Sequence, residues 1–465
     1  MSAIHPTAAA RAAKIVDLPR RTLWLYALPT FGTTAMHWLI MVFLLKYATD
    51  TLGIAPAMVG VLFAAGRFWD AISDPLAGWF SDRTRSRLGR RRPWMLAAAL
   101  PLGLSFWALW SAPAALTTSQ SGLWLAGSVL LFYTAQTAVG IPYMALGAEL
   151  TDDHHTRTRI AAFRVGAEAA GIFFAIGCLH LVENAASVPA MASSVAAVIA
   201  FATVVLIVIA ASGLRERFQQ SAVPSERPLR ALLDVVSNPH ARRLTLGIMF
   251  TEIGLGSLLV AIPFATEQFS EAGTSAQHIL GFVIPFVLSV PLWIPLGRRF
   301  GKSRCYAAAN ALCAVSFVAI GVFGYGSGYG IALIPLLGIG VSQAALRTFP
   351  DSIKADVIDW DEAETGERKE GAYFAAWNLA EKFAGVASVA LVGFFIQGEG
   401  AAVDPEGIRL VVSYVPAAFM VMAMVALRGF RLDADAHADL RRRIGRDVGS
   451  PEAGETTGAL SSSGA

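Results

Sequence analysis

Cysteine and charge are what this chain has least of. Its three cysteines, Cys178, Cys305 and Cys313, all lie in or beside apolar segments. They leave no disulfide framework and no metal-ligand spacing. Charged residues make up 15% of the 465-residue chain, against about 25% in soluble globular proteins. No Gly-x-x-x-x-Gly-Lys-Ser/Thr run occurs, so nucleotide drive has no support. No nucleophile–base or metal motif points to an enzyme, and no appended signalling domain is expected. Residues 1–21 lack the apolar core of a signal peptide, so the first hydrophobic segment is expected to stay in the mature chain.

What is there is apolar: 55% of residues are hydrophobic and the mean hydropathy is +0.54. The apolar residues fall into blocks of roughly 20 to 27, enough for a helix to cross about 30 Å of hydrocarbon. The alternating segments of about ten residues that mark a β-barrel are absent. The pattern predicts an all-α membrane protein with spans near 22–47, 54–80, 93–113, 122–149, 157–182, 190–212, 243–268, 276–298, 303–324, 328–350, 371–397 and 407–429. The longest polar break follows span six. It separates six-helix bundles over 22–212 and 243–429, with tails over 1–21 and 430–465 and a central loop over 213–242. The last tail, ending "SPEAGETTGALSSSGA", reads as disorder.

Basic residues set the orientation. The N-terminal tail carries Arg11, Lys14, Arg20 and Arg21, and the loop after span two crowds six arginines between Arg83 and Arg92. Arg157 and Arg159 follow span four, and Arg298, Arg299, Lys302 and Arg304 follow span eight. Loops on the other side hold little positive charge beyond Lys46 and Arg409. Both termini and the central loop are therefore expected in the cytoplasm, with the chain in a bacterial inner membrane. "GWFSDRTRSRLGRR" and "PLWIPLGRRFGKSR" put a Gly-and-basic loop at the same place in each half, the internal repeat of carriers built from two related bundles.

Charges inside the apolar segments are the candidates for function. A charge at membrane depth costs at least about 2.5–3.5 kcal/mol, so such groups face a cavity and pair. Asp70 and Asp74 share one helix face, with Arg67 one turn before. Two adjacent carboxylates in low dielectric are expected to hold a proton or a cation, and a hard cation such as Na⁺ would take their oxygens. The other reading is an Arg67–Asp70 ion pair with Asp74 near the interface. Arg164 and Glu168 are spaced for an i, i+4 ion pair on span five. Glu252 on span seven has no sequence neighbour, and Arg347 lines the inner cavity or sits at the interface. The acids of "DSIKADVIDWDEAETGERKEG" read as a solvated, partly helical loop. His37 is a pocket or core residue, and neither it nor "DDHH" has metal-site spacing.

The loop after span two resembles the signature of the major facilitator superfamily, Gly-x-x-x-Asp-Arg-x-Gly-Arg-Arg. Gly78, Asp82 and Arg83 match its front and Gly89, Arg90 and Arg91 its back, with four extra residues between. That longer loop, with "WDAISDP" before it, "RRPW" after it and "ADVIDWDEAETGERKEGAYFAAWNLAEKFAG" later, resembles the glycoside-pentoside-hexuronide:cation symporter family.

The resemblance implies two pseudo-symmetric six-helix bundles and symport of a sugar, glycoside or related small solute with Na⁺ or H⁺ by alternating access. It assigns Asp70, Asp74, Ser73 and Thr137 to the coupling-cation site. Ser73 replaces an asparagine, which leaves the ion open. It also marks Lys382, whose ammonium would either pair with the carboxylates until the cation arrives or snorkel to the interface, with Glu381 as a local partner. Arg164 matches a sugar-binding position. Thr34, Gly140 and Met144 stand where the family's galactoside carriers have two aspartates and a stacking tryptophan, so galactoside recognition is not expected. A lysolipid or other amphiphile is the alternative cargo, and a sensor or intramembrane enzyme the alternative class. A monomer with a small-molecule substrate, lipid around it, no cofactor beyond the coupling ion and no nucleic acid partner is expected.

Overall fold

The computed structural model describes residues 18–150, 154–216, 237–269, 275–323, 329–366, 370–398 and 403–430. The expected N-terminal and C-terminal tails and most of the central loop lie outside them. The first six helices are α1 Arg20–Asp50, α2 Pro56–Arg83, α3 Arg92–Leu109, α4 Thr118–Glu149, α5 His154–Glu183 and α6 Val188–Gly213. The second six are α7 Pro239–Phe269, α8 Ser275–Phe300, α9 Lys302–Phe323, α10 Tyr329–Thr365, α11 Glu370–Phe395 and α12 Pro405–Ala426. α12 is one rod with a π-helical stretch at Leu410–Tyr414. No strand occurs among the described residues.

Local chemistry sets several of these boundaries. A capping box opens α4, where Thr117 accepts from Gln120 N and the Gln120 side chain accepts from Thr117 N at 2.9 Å. Asp404 caps α12 through the nitrogens of Glu406 and Gly407, with Pro405 at the first helical position. Prolines sit inside α1, α2, α3, α4, α7, α8 and α10. Membrane helices tolerate them because neighbouring helices re-satisfy the freed carbonyls.

Among the described residues nine helices are long and apolar enough to cross a membrane: α1, α4 to α9, α11 and α12. The other three are diluted by polar residues. α2 carries Asp70 and Asp74, α3 opens on Arg92-Pro93-Trp94, and α10 ends in charged turns. All three still pack inside the bundle. The outward faces are greasy, with Phe201 73% and Leu288 71% exposed, as lipid-facing surfaces must be.

Helix pairing repeats with an offset of six. In the first half α1 packs on α5 and α6, α3 on α4 and α6, and α2 on α4. In the second half α7 packs on α11 and α12, α9 on α10 and α12, and α8 on α10. The halves meet through α2–α11, α5–α8 and α1–α7, a set that the same offset maps onto itself. The hinge loops repeat as well. Gly89 (φ 102°) and Gly301 (φ 89°) both adopt the left-handed backbone that favours glycine, each just before the third helix of its half. The second loop is shorter than the sequence suggested: α8 runs to Phe300, so Gly301 alone separates it from α9 and the basic residues sit on helix ends.

One segment is more regular than expected. The acidic stretch after Pro350 is a helix, since α10 continues to Thr365. Ile353, Val357 and Ile358 are buried along one stripe of it, spaced as an amphipathic helix requires. Several of its charges are paired. Lys354 contacts Asp351 at 3.2 Å and Glu381 at 2.9 Å, and Lys302 contacts Asp356 at 2.7 Å.

Candidate functional site

α2 turns Asp70 and Asp74, one turn apart, toward α4 and α11. Asp70 is 6% exposed. Thr137 on α4 places its hydroxyl 2.7 Å from Asp70 Oδ1 and 2.9 Å from Asp74 Oδ1. Ser73 Oγ lies 3.3 Å from that hydroxyl. From the other half, Lys382 on α11 brings its ammonium 2.9 Å from Asp70 Oδ2 and into contact with Asp74 Oδ2. The four oxygen-bearing residues and the lysine thus meet at one point on the seam between the halves. Lys382 does not snorkel away. Glu381, expected as its partner, pairs with Lys354 instead. The Arg67 side chain lies outside the described residues.

A second charged cluster joins residues that the sequence left apart. Arg347 on α10 pairs with Glu252 on α7 by two parallel contacts, Nη1–Oε1 at 3.2 Å and Nη2–Oε2 at 3.3 Å. The charges of Glu381 and of Glu168, from the opposite half, also act on Arg347. No ion pair joins Arg164 to Glu168 among the described residues. Tyr143 hydrogen-bonds Thr30 at 2.8 Å and donates to the Tyr26 carbonyl at 2.7 Å.

The substituted positions differ among themselves. Thr34 packs toward Gly171 of α5, where a Cβ would lie 3.1 Å from its own. Gly140 faces open space, since a Cβ there would meet nothing within 4 Å. Met144 is 52% exposed. His37 is exposed on α1 rather than in the core.

The arginine-rich loop is more than a topology marker. Arg91 bonds Asp82 at 2.5 Å and Ser81 at 2.7 Å, and Arg90 bonds Glu149 at the end of α4 at 2.7 Å. Glu216, just beyond α6, accepts from the backbone nitrogens of Arg90, Arg91 and Arg92 at 2.7, 2.8 and 2.8 Å. A carboxylate at the first turn of α3 is where the helix dipole and unpaired N–H groups favour one. Gly89 leaves room for it, since a Cβ there would overlap the Glu216 carboxylate. Arg83 stands outside the network and stacks on Trp79 at 4.0 Å, and Gly78 rests against Ile141. Glu149 and Glu216 read in sequence as ordinary helix-end acids.

Paired six-helix halves with a charged seam define a multi-pass membrane transporter of major facilitator type, not an enzyme. More narrowly, the chain belongs to the family of MFS/sugar transport proteins, whose profile matches residues 25–434. The sodium-dependent lysophosphatidylcholine symporter 1 of Gallus gallus is 23% identical, over 86% of this chain and 84% of its own. The glucuronide carrier protein homolog of Escherichia coli is 25% identical, over 88% of this chain and 92% of its own. Among solved structures, the nucleoside transporter NupG superposes with a TM-score of 0.66 at 12% identity, over 88% of this chain and 99% of that one.

Proposed function

We propose that this transporter is a symporter driven by Na⁺ or H⁺ binding at Asp70, Asp74, Thr137 and Ser73, with Lys382 as the built-in competitor for the ion. The observation that carries this is the ammonium of Lys382 lodged on both carboxylates. A threonine hydroxyl has one proton to donate, yet Thr137 touches a carboxylate oxygen of each aspartate. A proton or a small cation between those oxygens satisfies all three at once. The lysine meanwhile belongs to the other half of the protein. An ion that displaces it severs a charge contact across the α2–α11 seam, which links ion occupancy to the rocking of the halves.

The basic-residue asymmetry supports an orientation with the arginine-rich end, both termini and the central loop in the cytoplasm of a bacterial cell, in the inner membrane. A sugar, glycoside or related small solute is the first substrate class, on the family's description. A lysolipid is the second, favoured by the lysophosphatidylcholine symporter among the relatives and by exposed Met144 where the resemblance expects a stacking ring. The ion is the only additional chemical group the reading needs, and a single chain contains every residue it uses.

Purified protein in proteoliposomes tests the coupling. With an Na⁺ or H⁺ gradient imposed, wild-type vesicles should accumulate a transported glycoside, while Asp70→Asn and Asp74→Asn should insert normally and fail to accumulate it. Equal accumulation by both variants would sink the assignment.

A further inference from the structure

We propose that Glu252 and Arg347 form the substrate-recognition subsite of this transporter, in the C-terminal half, and that it takes the vicinal diol of a solute without net charge. This rests on the transport reading above and narrows its cargo.

The placement follows from the repeat. Gly32 on α1 and Gly254 on α7 mark the same contact in each half, where the first helix approaches the last. Gly32 lies against Thr203 of α6, and a Cβ on Gly254 would lie 3.2 Å from the Pro416 carbonyl of α12. Two residues before each glycine stand Thr30 and Glu252. Thr30 is spent on Tyr143, whose hydroxyl is tied in turn to Tyr26. Glu252 carries a charge at the mate of that position. The N-terminal half is therefore locked by hydroxyls where the C-terminal half offers an ion pair.

That pair faces an aqueous space. The Arg347 side chain is 55% exposed and that of Glu252 25%. Exposure to lipid would be prohibitive for either charge, and α7, which carries Glu252, packs against α1 of the opposite half, which sets the pair beside the seam. Its support is rigid. Thr251, beside Glu252, contacts Tyr306 and Asn310 of α9 at 3.0 Å each. Ser388 of α11 lies 3.4 Å from the Glu252 carbonyl and 3.1 Å from that of Ile253. Side chains held this way keep a recognition geometry without having to be ordered by the ligand.

Charge selects the ligand. The Glu252 carboxylate already holds Arg347 by two parallel contacts. An anionic group on the remaining guanidinium N–H groups would bring a second negative charge beside the Glu252 carboxylate, a repulsion that grows away from bulk water. A diol leaves the pair intact. Its oxygens accept from the guanidinium N–H groups that Glu252 does not use, and its hydroxyls donate to the free carboxylate lone pairs. The Asp70–Asp74–Lys382 cluster has one negative charge in excess, so one monovalent cation neutralises it. Glu252–Arg347 is neutral as a pair. A neutral solute then crosses with no charge left over.

The test uses full-length protein in detergent and calorimetric binding of methyl glucoside, methyl galactoside, methyl xyloside, methyl glucuronide and glycerophosphocholine. Thermal unfolding with and without Na⁺, at two pH values, is followed in parallel. At least one neutral glycoside should bind, with Glu252→Gln and Arg347→Gln weakening it roughly ten- to hundredfold while the ion-induced rise in midpoint persists. Glu252→Asp replaces Glu252→Gln should the latter not fold. The subsite is overturned if no neutral glycoside binds, if the glucuronide or the phosphocholine binds more tightly than every neutral glycoside, or if both variants bind like wild type. Loss of the ion response in wild-type protein itself would instead overturn the symport reading.

Discussion

Lys382 of α11 and Asp70 of α2 stand 2.9 Å apart across the seam between the halves. Each residue alone would be a costly charge at membrane depth, and together they form a charge contact that joins the two halves. Asp74 and Thr137 extend it into a cluster in which an ammonium occupies the place that the proposed coupling ion would take. The coupling argument therefore lives on packing, in the meeting of α2, α4 and α11, as much as on the residues themselves.

Removing the competitor should tighten ion binding and spoil coupling together. Lys382→Met is expected to bring ion-induced thermal stabilisation to concentrations about 5- to 150-fold lower, the span of ordinary coupling energies of about 1–3 kcal/mol. Gradient-driven accumulation should fall toward equilibration at the same time. If ion affinity is unchanged in that variant, the lysine does not compete for the site.

Thr137 should matter through its oxygen and not its methyl group. Thr137→Ser keeps both contacts to the aspartates and should retain ion binding. Thr137→Ala removes a hydrogen bond to a charged group, worth about 1.5–3 kcal/mol, and should weaken ion binding by roughly tenfold or more. Titration of unfolding midpoint against Na⁺ and pH separates the two variants, and equal behaviour would remove Thr137 from the site.

How much of this was legible in the sequence depends on the range of each contact. Asp70 and Asp74 are four residues apart in a greasy helix, and their shared face follows from helix geometry alone. The twelve helices and the repeat were legible for the same reason, since hydrophobic length and basic loops are local signals. Glu252 and Arg347 are not local. They lie on different helices with no periodicity to connect them, and only the packing of α7 on α10 brings them together. Glu149 and Glu216 were overlooked because an acid at a helix end has a sufficient solvent explanation. The segment beyond Pro350 reads as only partly helical because its acids mask the Ile353, Val357, Ile358 stripe. Arg164 and Glu168 show the converse: favourable spacing, and no ion pair between them.

Glu216 should hold the arginine-rich loop in place. Glu216→Ala strips the cap from three backbone nitrogens of α3 and should cost about 0.5–2 kcal/mol, the range for a lost helix cap. Gly89→Ala should cost a similar or larger amount, because a Cβ meets both a left-handed backbone and the Glu216 carboxylate. The double variant should recover the part due to the clash and keep the part due to the backbone. Additive losses in thermal unfolding would show that Glu216 and Gly89 do not share a contact.

The mate of that clamp in the second half gives an independent check on the repeat. Lys302 opens α9 and binds Asp356 of α10 at 2.7 Å, much as Arg90 and Arg91 bind Glu149 of α4. Asp356 is nearly buried, its side chain 8% exposed, while Lys302 keeps 38%. The two single changes should therefore differ. Lys302→Ala leaves a buried carboxylate short of its ammonium, and Asp356→Ala leaves a lysine that can turn to water. The first is expected to destabilise more, by up to about 3–5 kcal/mol as for a broken buried pair, and the second by less. Exchanging the charges, Lys302→Asp with Asp356→Lys, should restore part of the loss. A double-mutant cycle on unfolding midpoints with an interaction energy near zero would mean that the second half closes its loop by backbone geometry at Gly301 alone.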